Sequence, residues 1–329
     1  MTQSRGVAKH LTVSRSGWRY PRVRVPFCLA LVCSLMGMAA TAEPGRVVIL
    51  LGKSYPQYQQ VASAFSQEWK EATGTEPEVV TFPTDPAKRE QLLSKRPTLV
   101  VGLGEQPTTW ALGRDEGFDL AFTMVVGPRR IAESNKTQAA KHGRLTCVSI
   151  EVPEERQLDI LLQLFPNLKR VGVLTHDATL QDKVNRLGEL CEKRQLQLVH
   201  KQLSSLTELP TKLNELFGQA DLIWSLPDPE VFQPQLAQHI IVRCSERNIP
   251  LLGLSATFVK SGATISFDPD YQEVGRLLAR QCLSRTKESG ADLLITSPQR
   301  IVVSINQRAF TALNLTPDIK SSDVTVAKY

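Results

Sequence analysis

The chain has 329 residues, 42% of them hydrophobic, which is enough for two lobes that each bury a core. The formal net charge is +6, but six of the 39 Lys and Arg residues and none of the 33 Asp and Glu residues precede residue 43, so residues 43–329 are formally neutral. This balance gives no support for a nucleic-acid surface or a basic membrane patch.

Residues 1–42 have the composition of a cleavable export signal. A basic head without acidic residues precedes an apolar run at 25–39, and Ala40-Thr41-Ala42 supplies the small residues of a cleavage site. The apolar run is too short to make a good membrane-spanning helix. We therefore expect cleavage and a periplasmic location, with an uncleaved anchor helix as the alternative.

The first half of the remaining chain predicts strands that alternate with helices. Continuous apolar runs that end in glycine, such as RVVILLG and TLVVGLG, are typical of strands buried on both faces of a parallel sheet. Apolar residues at three- and four-residue steps between the runs predict amphipathic helices. The predicted strands cover residues 46–52, 78–82, 98–104, 120–126 and 145–152.

The same alternation begins again near residue 170. The pattern predicts a long helix opened by Asp268-Pro269-Asp270, a last strand at 301–306 and a terminal helix at 307–313. The other predicted strands cover residues 170–175, 196–203, 221–226, 250–254 and 263–267. Two halves of like pattern indicate an α/β protein with two doubly wound, Rossmann-like lobes.

Four cysteines follow the predicted export signal. Cys147, Cys191, Cys244 and Cys282 are widely and irregularly spaced, without a C-x-x-C pair that would indicate zinc or redox chemistry. Export permits a disulfide. We nevertheless favour buried thiols, because the last three fall on apolar faces of predicted helices.

Enzymatic and cofactor motifs are missing from the sequence. It has no Walker loop and no H-E-x-x-H pair, and Gly102-Leu103-Gly104 lacks the third glycine of a dinucleotide site. The segment 253–257 resembles a serine nucleophile elbow, but no histidine follows Ser255 to complete a triad. We therefore expect no metal, no cofactor and no catalysis, and Ser255 is predicted to form hydrogen bonds only.

Polar residues follow the predicted strands, where α/β sheets bind their ligands. Each of these loops also precedes a helix, so helix capping is the alternative role, and Asp228 is well suited to it. As a group, however, the loops of both halves are expected to converge on one cleft. The candidate ligand-binding residues are Ser54, Tyr55, Thr108, Thr109, Thr175, Asp228 and Ser255.

A resemblance to a known family is carried by RVGVLTHDATLQDKVNRLGELCEKRQLQL, DLIWSLPDPEVF and IPLLGLSATFVKSGATISFDPDYQEVGRLLARQ. These segments resemble the periplasmic substrate-binding proteins of ABC transporters, in the branch that binds aromatic or other amino acids. The resemblance implies a type I binding-protein fold in which a hinge joins the two lobes. One lobe would comprise residues 43–152 and 268–299, and the other residues 153–267 and 300–329.

The resemblance also implies a function. The protein would capture an amino acid or related small molecule between its lobes and deliver it to an ABC permease in the inner membrane, acting as a monomer. Ser54, Thr108 and Thr109 would hold a carboxylate, and Asp228 or Glu230 an ammonium group. A periplasmic sensor or accessory subunit with the same fold is the alternative function.

Overall fold

The computed structural model describes residues 45–115, 117–134, 142–284 and 293–329. The predicted export signal at 1–42 lies outside these residues. Among the helices in these ranges, none has both the length and the apolar character needed to cross a membrane.

Strands and helices alternate through most of the described chain. The strands are β1 (Val47–Leu51), β2 (Glu78–Thr81), β3 (Leu99–Leu103), β4 (Asp119–Thr123), β5 (Leu145–Val148), β6 (Arg170–Thr175), β7 (Gln197–Gln202), β8 (Leu222–Trp224), β9 (Leu251–Gly253), β10 (Ile265–Pro269), β11 (Leu293–Thr296), β12 (Ile301–Ile305) and β13 (Val324–Lys328). The α-helices are α1 (Pro56–Thr73), α2 (Pro86–Ser94), α3 (Glu105–Leu112), α4 (Pro128–Ser134), α5 (Glu154–Leu164), α6 (Gln181–Glu192), α7 (Leu209–Gln219), α8 (Pro234–Glu246), α9 (Ala256–Lys260), α10 (Tyr271–Ser284) and α11 (Gln307–Ala312).

The strands form two separate sheets. The first has the order β11-β5-β4-β3-β1-β2, and all its strands are parallel. The second has the order β13-β12-β10-β9-β8-β6-β7 and is parallel except where β10 meets β12. Central strands such as β1 and β3 are buried along their whole length, because helices cover both faces. The predicted α/β class with two mostly parallel sheets is confirmed.

Three details of the sequence prediction were wrong. The strand at 301–306 is not the last, since β13 pairs with β12 beyond it. The short edge strand β11 had no counterpart in the prediction. Residues Asp268 and Pro269 belong to β10 rather than to the following helix, and Asp270 alone caps that helix by accepting from the N–H groups of Gln272 and Glu273. Edge strands are short or half-exposed, so their apolar pattern is weak.

The chain crosses between the two sheets three times within the described residues: after β5, after β10 and between β11 and β12. Backbone hydrogen bonds join these crossing segments to one another. The N–H of Ser149 donates to the carbonyl of Thr296 at 2.7 Å, and the N–H of Asp270 donates to the carbonyl of Arg300 at 3.1 Å. Hydrogen bonds therefore hold the three segments together at the position predicted for the hinge. The predicted lobe boundaries stay a prediction.

Helix α10 follows the second crossing but packs against α1 on the first sheet. The contact is close because Gly275 has no side chain. A Cβ atom built there would lie 2.3 Å from the carbonyl oxygen of Val61 and 3.0 Å from the backbone nitrogen of Phe65. Helix α10 thereby joins the core of the first sheet, although it lies more than 100 positions along the chain from β5.

The prediction of buried thiols is confirmed. Cys147, Cys191, Cys244 and Cys282 are all buried, and no disulfide joins them in the described structure. Burial raises the pKa of Cys191 to about 11 and that of Cys244 to about 12, so these thiols stay protonated at neutral pH.

Candidate functional site

The carboxyl ends of strands from both sheets border one cavity. Residues Val126 and Ile150, which follow β4 and β5, approach it from the first sheet, and residues 224–227 and 252–254, at the ends of β8 and β9, from the second. The first crossing segment forms part of the wall. The cavity therefore lies beside the hinge, where two doubly wound sheets place their strand-end loops.

Part of the wall of this cavity is apolar. Trp224, Leu226, Leu252 and Phe267 line it and are nearly fully buried. Trp224 belongs to the core of the second sheet and also borders the cavity.

The seven candidate residues all lie in the described chain. They are found at the carboxyl ends of strands, four in the first sheet and three in the second. Ser54, Tyr55, Thr108 and Thr109 follow the paired strands β1 and β3, and Thr175, Asp228 and Ser255 follow or end β6, β8 and β9. None of the seven is among the residues that line the cavity.

Asp228 is fully buried, and its carboxylate accepts hydrogen bonds from backbone N–H groups around it. Its Oδ2 accepts from the N–H groups of His176 at 2.6 Å and Asp177 at 2.8 Å, and its Oδ1 accepts from those of Glu230 and Val231, both at 3.1 Å. Burial alone would raise the pKa of Asp228, but these four hydrogen bonds lower it below its ordinary value. Asp228 therefore holds two neighbouring loops together and has no free oxygen lone pair aimed at an ammonium group.

Thr175 is also engaged inside the protein. Its hydroxyl lies 2.8 Å from Nε2 of His200, and its side chain is nearly fully buried. Burial lowers the pKa of His200, so the imidazole is neutral near pH 7 and can pair with the hydroxyl as donor or acceptor. The hydroxyl of Thr175 thus joins β6 to β7 rather than facing the cavity.

Thr108 and Thr109 are neighbours in sequence with opposite surroundings. The Thr108 hydroxyl is fully buried and donates to the carbonyl of Gly104 at 2.7 Å, while the side chain of Thr109 is exposed. Gly102 and Gly104 make this possible, because a Cβ at Gly102 would lie 2.8 Å from Oγ1 of Thr108, and Gly104 has a positive φ of 101°. Thr109 alone of the pair presents its hydroxyl to solvent.

The loop after β1 is open to solvent. Ser54 is exposed, and Tyr55 is 57% exposed, with its ring edge-on to Tyr58 at a centroid distance of 6.3 Å. Lys53 places its Nζ 5.4 Å from the centre of the Tyr55 ring. An exposed aromatic ring next to a hydroxyl is available for contact with a solute.

Ser255 precedes α9 and is partly exposed, but its hydroxyl does not cap that helix. The carboxylate of Asp268 takes this role instead, since it accepts from the N–H of Ala256 at 3.0 Å. Asp268 also accepts from the hydroxyls of Ser266 at 3.1 Å and Tyr271 at 3.4 Å. Burial outweighs these hydrogen bonds and raises the pKa of Asp268. The Ser255 hydroxyl is therefore not used to cap α9 and is available to a ligand.

The sequence interpretation missed Ser225. This residue directly follows β8 and lines the cavity, and its hydroxyl is buried without a hydrogen-bond partner among the described residues. It was included in the predicted strand 221–226 because its neighbours Leu222, Ile223, Trp224 and Leu226 are apolar. A lone hydroxyl at the carboxyl end of a buried strand was the signal for it.

A family comparison covers most of the chain. The model of a family described as ABC transporter substrate binding protein matches residues 87–316. A curated relative, the tyrosine-binding protein of Clostridioides difficile (strain R20291), is 20% identical over 238 residues, which are 71% of this chain and 68% of the relative.

Solved structures share the architecture. The ligand-free, open structure of a substrate-binding protein with adhesive properties from Clostridium difficile has a TM-score of 0.72 and 15% identity, covering 86% of this chain and 99% of that one. A domain from Streptococcus pneumonia in complex with L-Trp has a TM-score of 0.55 and 17% identity, covering 83% of this chain and 96% of that one. At these identities the likeness concerns the fold.

Proposed function

The chain belongs to the family of ABC transporter substrate-binding proteins, and from this we propose that it is a periplasmic protein that captures an amino acid between its lobes and delivers it to an ABC permease in the inner membrane. Its fold is the type I binding-protein fold that the sequence predicted. In this proposal the protein acts as a monomer and delivers its ligand chemically unchanged.

One observation carries the proposal. Strand ends of both sheets border a single cavity next to three hydrogen-bonded crossing segments. Rotation about such a hinge moves the two sheets towards each other, and a solute held by loops on both sides favours the closed arrangement. The geometry fits reversible capture.

The choice of an amino acid rests on the ligands named for two relatives. One is called a tyrosine-binding protein, and the other was solved with L-Trp. The exposed or partly exposed hydroxyls of Ser54, Thr109 and Ser255 are suited to a carboxylate. Glu230, whose side chain is 57% exposed beside His176, is our candidate for the ammonium group in place of Asp228.

A binding screen tests the capture step. The purified protein is heated with each of the twenty amino acids and with a set of small organic anions and sugars, and its unfolding midpoint is recorded. A ligand present at a hundred times its Kd adds about 2.7 kcal/mol to the free energy of unfolding, which raises the midpoint by several degrees. The proposal fails if sugars or anions raise the midpoint and no amino acid does.

Uptake tests the delivery step separately. Cells that lack this protein are expected to take up the amino acid found in the screen more slowly than wild-type cells, and a copy of the gene should restore the rate. Unchanged uptake with intact binding would favour the sensor or accessory role.

A further inference from the structure

The second crossing between the sheets lies between Asp268 and Tyr271. Asp268 belongs to β10 and pairs with Val302 of β12 in the second sheet. Tyr271 begins α10 and packs against the hydrophobic core of the first sheet. The phenol hydroxyl of Tyr271 donates to Oδ1 of Asp268 at 3.4 Å. This hydrogen bond therefore joins a side chain held by one sheet to a side chain held by the other.

The carboxylate of Asp268 is held in place on the side of the second sheet. Its Oδ2 accepts from the N–H of Ala256 at 3.0 Å and from the hydroxyl of Ser266 at 3.1 Å. Ser266 lies in the same strand as Asp268, and Ala256 shortly follows residues 252–254, which line the cavity. These two donors fix Oδ2, so Oδ1 is directed at Tyr271.

The phenol of Tyr271 is held in place on the side of the first sheet. Tyr58 of α1 packs against the same core and interacts electrostatically with Tyr271. Burial, the Asp268 carboxylate and Tyr58 together raise the pKa of Tyr271, so its hydroxyl stays protonated and can donate. The hydroxyl of Tyr58 lies 3.2 Å from the point that a Cβ on Gly104 would occupy. Gly104 directly follows β3, so the two phenols lie near a strand-end loop of the first sheet.

The hydrogen bond between Tyr271 and Asp268 lies on the side of the hinge that faces the cleft. Its neighbours Ala256 and Gly104 follow the carboxyl ends of β9 and β3, and strand ends of both sheets border the cavity. Groups on this side approach one another when the sheets rotate together. An O–H···O bond normally measures about 2.5–3.0 Å, so the bond of 3.4 Å has room to shorten. Closure of the cleft should therefore strengthen it.

We propose that the hydrogen bond from Tyr271 to Asp268, which we call the latch, tightens when the two sheets close on a solute and stabilises the closed arrangement. Asp268 and Tyr271 act as positioning residues, and neither is among the residues that line the cavity. The inference rests on the proposed function, because it names a contact that regulates closure on the captured solute. A contact that is stronger in one of two arrangements shifts the equilibrium towards that arrangement.

The test measures the distance across the cleft in the ligand-free protein. Thr84 and Ser204 are exposed and follow β2 and β7, the edge strands that lie opposite the crossing segments in their sheets. Spin labels attached at these two positions through p-acetylphenylalanine report the distances by double electron–electron resonance. We expect a short-distance component from the closed arrangement. Tyr271→Phe keeps the ring and removes the hydroxyl, so it should reduce this component about fivefold, which corresponds to about 1 kcal/mol.

Ser266→Ala is the matched control. It also removes a hydrogen bond to the carboxylate of Asp268, but Ser266 and Asp268 both lie in β10, so this bond does not cross between the sheets. The variant should be less stable than the wild type and keep the wild-type distance distribution. A thermal melt of each variant confirms that it is folded.

Affinity gives a second measurement. The probe is the amino acid that raises the unfolding midpoint most in the screen described above. Tyr271→Phe should bind it about fivefold more weakly, because the apparent Kd rises as the closed fraction falls. Stopped-flow measurements should place the change in the dissociation rate, since the latch tightens after the encounter. Ser266→Ala should bind the probe like the wild type.

The outcomes separate the latch from the proposed function. The same distance distribution in Tyr271→Phe and in the wild type would overturn the latch, and so would an equal loss of the short component in Ser266→Ala. A larger short component in Tyr271→Phe would show that the bond opposes closure, which also overturns the latch. The distances are measured without a ligand, so binding of no amino acid in the screen would overturn amino-acid capture alone.

Discussion

The carboxylate of Asp228 accepts a hydrogen bond of 2.6 Å from the backbone N–H of His176, 52 positions earlier in the chain. The bond ties the loop after β8 to the loop after its neighbour β6. Strand-end loops carry the proposed site, so this bond fixes the shape of one side of the cleft.

Replacement of Asp228 should therefore affect folding before it affects binding. We expect Asp228→Ala to lower the free energy of unfolding by about 3 kcal/mol, because four backbone N–H groups lose a charged acceptor. Asp228→Asn, which keeps one acceptor oxygen, should lose about half as much. Urea denaturation measures both. An Asp228→Ala variant as stable as the wild type that no longer binds an amino acid would instead support the counter-charge role suggested by the sequence.

Thr108 and Thr109 provide a matched pair within one helix. Thr108→Val removes a buried hydroxyl that donates to Gly104, so we expect a loss of about 1 kcal/mol in the free energy of unfolding. Thr109→Val alters an exposed hydroxyl and should change stability by less than about 0.5 kcal/mol. If Thr109 contacts the ligand carboxylate, only its variant should show several-fold weaker amino-acid binding at unchanged stability. Equal affinities of the two variants and the wild type would remove Thr109 from the proposed site.

Asp268 should give the protein a pH dependence of opposite sign to that of most carboxylates. Its pKa is raised by burial, so between the unfolded value of about 3.9 and the raised folded value the folded state binds more protons. Stability then falls as pH rises through this window. Asp268→Asn cannot titrate, and its stability relative to the wild type should increase as pH rises from 4. Urea midpoints from pH 4 to 8 measure this difference, and a difference that does not vary with pH would contradict the prediction.

A glycine-to-alanine substitution in α10 and one in α6 should have opposite effects on the free energy of unfolding. Gly275→Ala places a methyl group 2.3 Å from the carbonyl oxygen of Val61, so we expect a loss of about 2 kcal/mol or more as α10 moves away from α1. In Gly188→Ala the added group meets only a side-chain atom of Leu198, at an ordinary 3.6 Å. Helix propensity should then raise stability by about 0.5–1 kcal/mol. Thermal melts of the two variants measure this contrast, and destabilisation by both would show that the close contact at Gly275 is not the cause.

The sequence predicted the architecture well because central parallel strands are buried on both faces. Such strands as Val47–Leu51 and Leu99–Leu103 appear as unbroken apolar runs between helical patterns. Edge strands carry less of this pattern. Val324–Lys328 contains only exposed and half-buried residues and follows a long irregular segment, so its pairing with β12 could not be predicted locally.

The site was predicted less well than the fold. A polar residue after a strand can face a ligand or the neighbouring backbone, and the local sequence is the same in both cases. For Asp228 the deciding partners lie 51 and 52 positions away, and for Thr175 the partner lies on the next strand. Ser225 was overlooked because the residues on either side of it are apolar and buried.

The three crossings between the sheets have a consequence for biosynthesis. The first sheet ends at its edge with Leu293–Thr296, and α10 covers one of its faces, although its other strands all precede residue 149. A nascent chain therefore cannot complete the first sheet until Leu293–Thr296 has been synthesised. The strands that precede residue 149 therefore cannot mature ahead of the rest, as the domains of many multidomain proteins do.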